Sequence, residues 1–405
     1  MEKTASTNQT SLILVIFTVA LKLSVLPAIT CDYASNNAYI VSLIALAIDF
    51  LLTLFIILII QKVPDKNFFQ LIKATLSKPV AIIIYIILTL YFFIKLLVSL
   101  LELHDYYIVA LFEHLNPIFF IVTLMFLFLY MFNSNFRTIG RMIEILFWPL
   151  ALGIFFTLIY PISEVEIVNL FPIFQEGAYP IFHGLFRTSF AYGDYMILFV
   201  MMGGIKYSKK ATKKILLYTS TILGFIFNFY IIFVGTFGDI AVNQSLALSE
   251  LPLHNPYPTT IGRLEWLTII MWTAILLIQA ALLGLCCTTC IKEMFGLSDK
   301  KIPSVVLVIL LTALYLPTYL KLEFVITFVT SVPFSIAAIA IELGCALILL
   351  ISFVIYRKRN PNEIKPPSKN NKQKIMDFKS NKTKTKSTNN GGKRYARNYK
   401  KNLSQ

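Results

Sequence analysis

The chain has 405 residues, of which 57% are hydrophobic and only 14% are charged, and its mean hydropathy is +0.73. Soluble domains average about 45–50% apolar and about 25% charged residues, so this composition excludes an ordinary soluble globular protein. The apolar residues form blocks of roughly 17–25, the length that crosses about 30 Å of hydrocarbon as a helix. Because backbone groups inside lipid must be satisfied within the spanning segment, the sequence predicts an all-α integral membrane protein.

The net charge of +15 belongs almost entirely to the C-terminal tail. From Arg357 onward the chain has 16 Lys/Arg and 2 Asp/Glu, a balance of +14, whereas the preceding 20 basic and 19 acidic residues balance to +1. The segment 357–405 has too few apolar residues to fold, so we expect a disordered basic cytoplasmic tail. Anionic lipid is its expected partner, with a solvated tail as the alternative, and no specific nucleic acid is expected.

Ten apolar segments predict ten transmembrane helices. A short cytoplasmic N-terminus (1–10) would precede a permease-like membrane domain (11–356), and the tail would follow it. The predicted spans are 11–30, 38–60, 79–100, 117–132, 142–160, 184–203, 215–236, 264–288, 303–320 and 326–355.

The charges of the loops predict the orientation of these spans. With the N-terminus inside, fourteen basic residues fall in inner loops: Lys62, Lys66, Lys73, Lys78, Arg137, Arg141, Lys206, Lys209, Lys210, Lys213, Lys214, Lys292, Lys300 and Lys301. The outer loops carry two, Arg263 and Lys321. The outer loops carry the acids Glu102, Asp105, Glu113, Glu164, Glu166, Glu176, Asp239 and Glu250. Positive charge accumulates on the cytoplasmic side, so both termini are predicted to be cytoplasmic.

No group of residues indicates an enzyme, a cofactor or a bound metal. There is no nucleotide-binding loop, no nucleophile elbow and no cluster with metal-ligand spacing. Cys286, Cys287 and Cys290 lie close together in a predicted span, but no further ligand completes a metal set. We interpret them as small residues packed between helices.

Two further polar pairs lie at the ends of spans. His104 and His114 fall in the predicted outer loop after the third span and are expected to be solvated. Arg141 and Glu144 are three residues apart at the inner end of the fifth span. That spacing predicts an ion pair on the helix surface.

The first and sixth spans contain helix-breaking sequences. The first includes Pro27, which lacks the amide that the preceding turn needs, and the sixth includes Gly193 followed by Asp194. These spans open the two five-helix halves of the chain. Interrupted helices at matching positions of two halves are typical of transporter substrate sites; the alternative is a pair of ordinary kinks.

Five charged residues lie well inside predicted spans. They are Lys22, Asp49, Lys95, Asp194 and Glu342. A charge at the bilayer centre costs about 2.5–3.5 kcal/mol on insertion scales, so such residues face a cavity or a partner. For Lys22 and Asp194 we favour a ligand site, because both lie at the predicted breaks. Asp49, Lys95 and Glu342 are either ion or proton sites or structural charges.

Lys22 and Asp194 are predicted to face one cavity and to pair when it is empty. A zwitterionic ligand would replace the pair, its carboxylate meeting Lys22 and its ammonium meeting Asp194, which keeps each buried charge matched. Ser24 and Tyr192 would add hydrogen bonds. The alternative is a permanent structural bridge with the ligand elsewhere. The predicted ligand-binding residues are Lys22, Ser24, Tyr192, Gly193, Asp194 and Trp272.

Several short motifs resemble one family, the B-subunits of spore germinant receptors, within the amino acid–polyamine–organocation permease superfamily. The motifs are Lys22–Pro27, Arg137–Glu144, Leu170–Gly177, Tyr192–Asp194 and Gly262–Glu265, followed by Trp272. Their order and placement on the ten spans carry the resemblance, which covers roughly residues 10–358.

The resemblance implies a fold, partners and a location. The fold would be an inverted five-plus-five helix repeat with helices one and six broken. The protein would lie in the inner membrane of a dormant spore beside an A-subunit and a lipoprotein C-subunit, and would bind a small nutrient that triggers germination. Two alternatives remain, a secondary transporter of amino acids or related organic cations and, less favoured, an ion-conducting subunit.

Overall fold

The computed structural model describes residues 4–110, 117–174, 177–207, 210–244, 246–247, 250–251, 264–319 and 322–361. The chain divides into the units Met1–Ile355 and Tyr356–Gln405, and every contact discussed below belongs to the first. The α-helices are α1 (Thr7–Leu23), α2 (Leu26–Ala34), α3 (Ala38–Ile60), α4 (Phe68–Thr75), α5 (Lys78–Ala110), α6 (Pro117–Phe132), α7 (Phe136–Ile159), α8 (Tyr179–Arg187), α9 (Ile197–Met201), α10 (Ala211–Phe237), α11 (Leu264–Phe295), α12 (Lys301–Tyr319), α13 (Leu322–Val329) and α14 (Val332–Arg359).

Short 3-10 helices and one pair of short strands complete the described architecture. The 3-10 helices are Ser35–Asn37, Tyr160–Glu164, Ile167–Leu170, Ser189–Ala191, Asp194–Met196 and Gly238–Asn243. Strands β1 (Ala5–Ser6) and β2 (Ile205–Lys206) pair in parallel. The prediction of an all-α membrane protein is confirmed at this level.

The long helices have the length and composition of membrane spans. Among the described residues, five segments are long and apolar enough to cross a bilayer: Leu26–Ile60, Lys78–Tyr107, Ala211–Asn243, Ile269–Phe295 and Val332–Arg359. Three shorter apolar helices accompany them: Thr7–Leu23, Ile121–Phe132 and Lys301–Tyr315. These segments make the chain a multi-pass membrane protein.

The third predicted span is too short by ten residues. The helix α5 continues to Ala110, because no glycine or proline interrupts the sequence between Pro79 and Pro117. Its 33 residues extend about 50 Å at 1.5 Å per residue, well beyond the hydrocarbon thickness. Glu102 and His104 are therefore buried helical residues, and the expectation of a solvated outer-loop His104 is wrong.

Other boundaries also shift. The sixth span starts at Tyr179 instead of residue 184, and the tenth consists of two helices that meet at Ser331. Pro333 lies in the first turn of α14, where its missing amide costs no hydrogen bond, so the new helix begins just ahead of it. Several residues of the sequence predictions lie outside the described residues: Glu113, His114, Glu176, Lys209, Arg263, Lys321 and the tail beyond 361.

The N-terminal segment is fastened to the interior by a polar network. Ser6 caps α1 by accepting from the amide of Gln9 at 3.2 Å. Glu144 on α7 accepts from Asn8 Nδ2 at 2.8 Å and from Gln9 Nε2 at 3.0 Å. Within the described chain no ion pair joins Glu144 to Arg141, so the predicted helix-surface pair is wrong. Glu144 instead forms hydrogen bonds with residues of α1, which are distant from it in the sequence.

Helix α1 lies at the centre of the membrane domain. It packs against α7, α10 and α11, and α11 in turn packs along α5. Every described residue of α1 from Gln9 to Leu23 is buried, although this helix is the first in the sequence. Its C-terminal end therefore lies deep in the protein, and that end carries Lys22.

Candidate functional site

The first membrane segment is interrupted between Leu23 and Leu26. Pro27 occupies the first turn of α2, where its missing amide costs no hydrogen bond, and Ser24 and Val25 leave the helix. Lys22 lies in the last turn of α1 and is fully buried. A cation at the C-terminal end of a helix is favoured by the helix dipole, so the break suits this charge.

The sixth membrane segment is interrupted around Gly193. Helix α8 ends at Arg187, and after two 3-10 turns the chain resumes as α9. Gly193 has φ +77°, in the left-handed region, and a Cβ atom there would overlap the carboxylate of Glu342. Only glycine meets both conditions without strain. Asp194 follows at once and opens the next 3-10 helix.

The two breaks meet at a buried ion-pair network. Lys22 Nζ contacts Asp194 Oδ2 and lies 2.7 Å from Asp49 Oδ2. Lys95 Nζ lies 3.8 Å from Asp194 Oδ1. The structure thus brings Lys22 and Asp194 together, as the sequence suggested. Their role in binding a ligand stays a prediction.

The interrupted backbone at Gly193 is satisfied by charged side chains of other helices. The amide of Gly193 donates to Asp49 Oδ1 at 3.0 Å. The carbonyl of Tyr192 accepts from Lys95 Nζ and, at 3.4 Å, from the Tyr91 hydroxyl. An unpaired backbone group buried in a membrane protein costs several kcal/mol. Asp49 and Lys95 therefore compensate for the missing helix hydrogen bonds at this break.

Glu342 on α14 is the last of the five charges predicted inside spans; it is buried and also lies at the break. Its Oε1 accepts from the Tyr91 hydroxyl at 2.7 Å. The sequence predictions missed Tyr91, which lies one turn before Lys95 on α5 and so faces the same side of the helix. That spacing is the signal that could have identified it.

The remaining predicted ligand-binding residues occupy different positions. Tyr192 is buried, and the ammonium of Lys22 lies 4.9 Å from its ring centroid, within the range of a cation–π interaction. Ser24 is fully buried, and its hydroxyl has no hydrogen-bond partner among the described residues. Trp272 is fully buried on α11, and its part in ligand binding stays a prediction.

A cavity of about 350 Å³ opens beside this network between α3, α8 and α14, and we call it the lateral cavity. Its walls are mainly aliphatic and aromatic side chains. Its polar lining residues are Asp49, Ser189, Tyr192, Tyr195 and Glu342. Exposed apolar residues, among them Ile48, Phe182 and Leu343, surround it. It therefore joins the buried charges to an apolar surface.

These features define a class, a multi-pass membrane protein in which two interrupted helices bring buried charges together. The spore germination protein family matches residues 4–323, and the chain belongs to that family. It is similar to the spore germination protein YndE of Bacillus subtilis (strain 168), with 23% identity over 232 residues, 57% of this chain. The matched part spans 64% of that relative's length. The family is not a family of enzymes.

Proposed function

We propose that the chain is the membrane subunit of a nutrient germinant receptor, in which it binds a small amino-acid-like germinant and helps to trigger spore germination. One observation carries the proposal, the buried contact between Lys22 and Asp194 at the two helix interruptions. Family membership supports the link to germination, and the paired opposite charges match the two ends of a zwitterion.

The proposed architecture is ten spans in an inverted five-plus-five repeat, with the broken helices opening each half. The interruptions at Ser24–Val25 and at Gly193 support it, because they fall in the first and sixth spans. Both termini would be cytoplasmic and the protein would lie in the spore inner membrane. The loop charges support this orientation.

The proposed mechanism is an exchange of ion pairs. The ligand carboxylate replaces Asp194 beside Lys22, and the ligand ammonium takes the place of Lys22 beside Asp194. Because each buried charge keeps a partner, the exchange avoids the cost of several kcal/mol that a lone buried charge carries. Asp194 directly follows Gly193, whose amide is held by Asp49, so a shift of Asp194 would move the break itself.

A secondary transporter of amino acids or organic cations is the second candidate. The same arrangement supports it, since sites between broken helices serve transporters as well. If the chain is a receptor subunit, its proposed partners are A- and C-type receptor subunits, as its resemblance to germinant-receptor B-subunits implies. Anionic lipid is the proposed partner of the basic tail.

The receptor proposal is tested in spores that lack this gene. Loss of germination with one amino acid out of a panel, restored by the gene in trans, is the expected result. Spores that keep every nutrient response would contradict a receptor role.

Uptake distinguishes the two candidates. Proteoliposomes containing the purified chain are given the radiolabelled form of the nutrient identified in spores. A receptor subunit binds it without accumulation above empty liposomes. Accumulation driven by an ion gradient would support the transporter.

A further inference from the structure

The lateral cavity has mainly apolar walls, and two carboxylate side chains belong to its lining. Asp49 lies on α3 and Glu342 on α14, and both line it. Ile339 and Leu343 belong to its α14 wall. A volume of about 350 Å³ is at the small end of the range for small-molecule sites, which are mostly apolar with a few polar anchors.

The charges around this cavity do not balance. In the described part of the chain, the network contains two ammonium groups, on Lys22 and Lys95, and three carboxylates. Asp49 is engaged by Lys22 and by the Gly193 amide, and Asp194 contacts both lysines. Among the described residues, Glu342 accepts a hydrogen bond from a neutral hydroxyl, that of Tyr91. In the same part of the chain no direct ion pair joins Glu342 to either lysine, although Lys95 acts on it electrostatically. Glu342 is thus the carboxylate of the network that lacks a direct cationic contact and can take a cation from outside the network.

An unused hydroxyl group at the same cavity points independently to a ligand. Tyr195 lines the cavity and is only 2% exposed. Its hydroxyl has no hydrogen-bond partner among the described residues. A buried hydroxyl without a partner is costly, and a ligand with a hydrogen-bond donor would satisfy it.

We propose that the lateral cavity binds an organic ammonium ion with a short apolar body, its charged group against Glu342 and Tyr195 and its body between α3, α8 and α14. The apolar walls favour this ligand over a hydrated metal ion. The described residues also contain no group of three His, Cys, Asp or Glu side chains placed to ligate a metal. The ligand reaches Glu342 from the apolar flank of the protein, beside the Lys22–Asp194 pair.

Titration calorimetry with n-hexylammonium tests this proposal on the full chain in nanodiscs of zwitterionic lipid, with empty nanodiscs subtracted. We expect saturable binding, weakened about tenfold or more by Glu342→Gln, because a charge-assisted contact is lost. The neutral analogue n-hexanol should bind at least about tenfold more weakly than the ammonium ion. Glu102→Gln, which removes another buried carboxylate, on α5, is the matched control and should leave binding unchanged.

Leu343→Trp supplies a second variant that keeps the charge network intact and narrows the cavity. It should weaken binding even if Glu342→Gln does not fold. The proposal is overturned if the wild-type chain shows no saturable binding, if Leu343→Trp binds like wild type, or if a folded Glu342→Gln does so. It is also overturned if n-hexanol binds as tightly as n-hexylammonium, since Glu342 would then act as a neutral acid.

This site and the proposed germinant site fail separately. Lys22→Met should raise the required germinant concentration about tenfold or more. It should not weaken n-hexylammonium binding, because Lys22 does not line the lateral cavity and its loss removes a positive charge from beside Asp49. Absence of n-hexylammonium binding to the wild-type chain, together with the expected weaker germinant response of Lys22→Met, would reject the lateral site alone.

Discussion

At the scale of single residues, the sequence indicates which charges matter and only partly how they connect. The five charges predicted inside spans stand out because each interrupts an apolar block, and Lys22 and Asp194 could be paired because both lie at breaks. The hydrogen bond from the Gly193 amide to the Asp49 carboxylate could not be predicted from the sequence, because it depends on the rotation of α3 about its axis. The hydrogen bonds that Lys95, Tyr91 and Glu342 make at the break depend in the same way on how α5 and α14 pack.

Gly193→Ala tests the geometry of the break. Backbone in the left-handed region costs a non-glycine residue about 1–2 kcal/mol, and the new methyl group would also meet the Tyr91 hydroxyl at 2.8 Å. We expect a lower thermal midpoint of the purified protein. Gly344→Ala is the matched control, since nothing lies within 4 Å of a Cβ atom there. Equal midpoints for the two variants would show that the break does not require glycine.

At the scale of secondary structure, the sequence predicts that a helix exists better than where it ends. Apolar blocks locate the spans, but α5 continues past its apolar part because nothing breaks it. The hydrogen-bond network at the N-terminus is a second feature that local sequence does not predict. Glu144 has a local candidate partner in Arg141, and the structure gives it Asn8 and Gln9 instead. Local spacing cannot reveal a partner from another helix.

Glu144→Ala is expected to loosen the start of α1. Hydrogen bonds to a charged group contribute about 1.5–3 kcal/mol, so the first turn of the helix should open more often. Amide hydrogen exchange of residues 7–12 measures this and should speed up by about tenfold or more. Arg141→Ala should leave that exchange unchanged. Faster exchange in Arg141→Ala alone would show that the Arg141–Glu144 pair, and not the contact of Glu144 with Asn8 and Gln9, stabilises the start of α1.

At the scale of the whole molecule, composition and loop charge predict a multi-pass membrane protein, and the helix lengths agree. The orientation follows from a difference in Lys and Arg between alternate loops, and it stays a prediction. All five cysteines are buried, so an introduced surface cysteine is readily distinguished from them.

Cysteine labelling tests the orientation. Ser163→Cys, in the predicted outer loop, should react with an impermeant thiol reagent in intact vegetative cells made to express the protein, and Lys210→Cys should react only after permeabilisation. Both positions are exposed on the protein. Labelling of Lys210→Cys alone in intact cells would show that the orientation is the opposite of the predicted one.

The central claim is that the buried charges at the two breaks form the germinant site, and charge removal tests it most directly. The measurement is the germination dose-response of spores with Lys22→Met or Asp194→Asn, with the amount of protein in the spore membrane determined in parallel. We expect each change to raise the required germinant concentration about tenfold or more at normal abundance, because a charge-assisted contact is lost. Unchanged dose-responses at normal abundance would contradict the claim. Collapse of abundance in both single variants, with recovery in the double variant, would contradict it too and would identify the pair as a structural bridge.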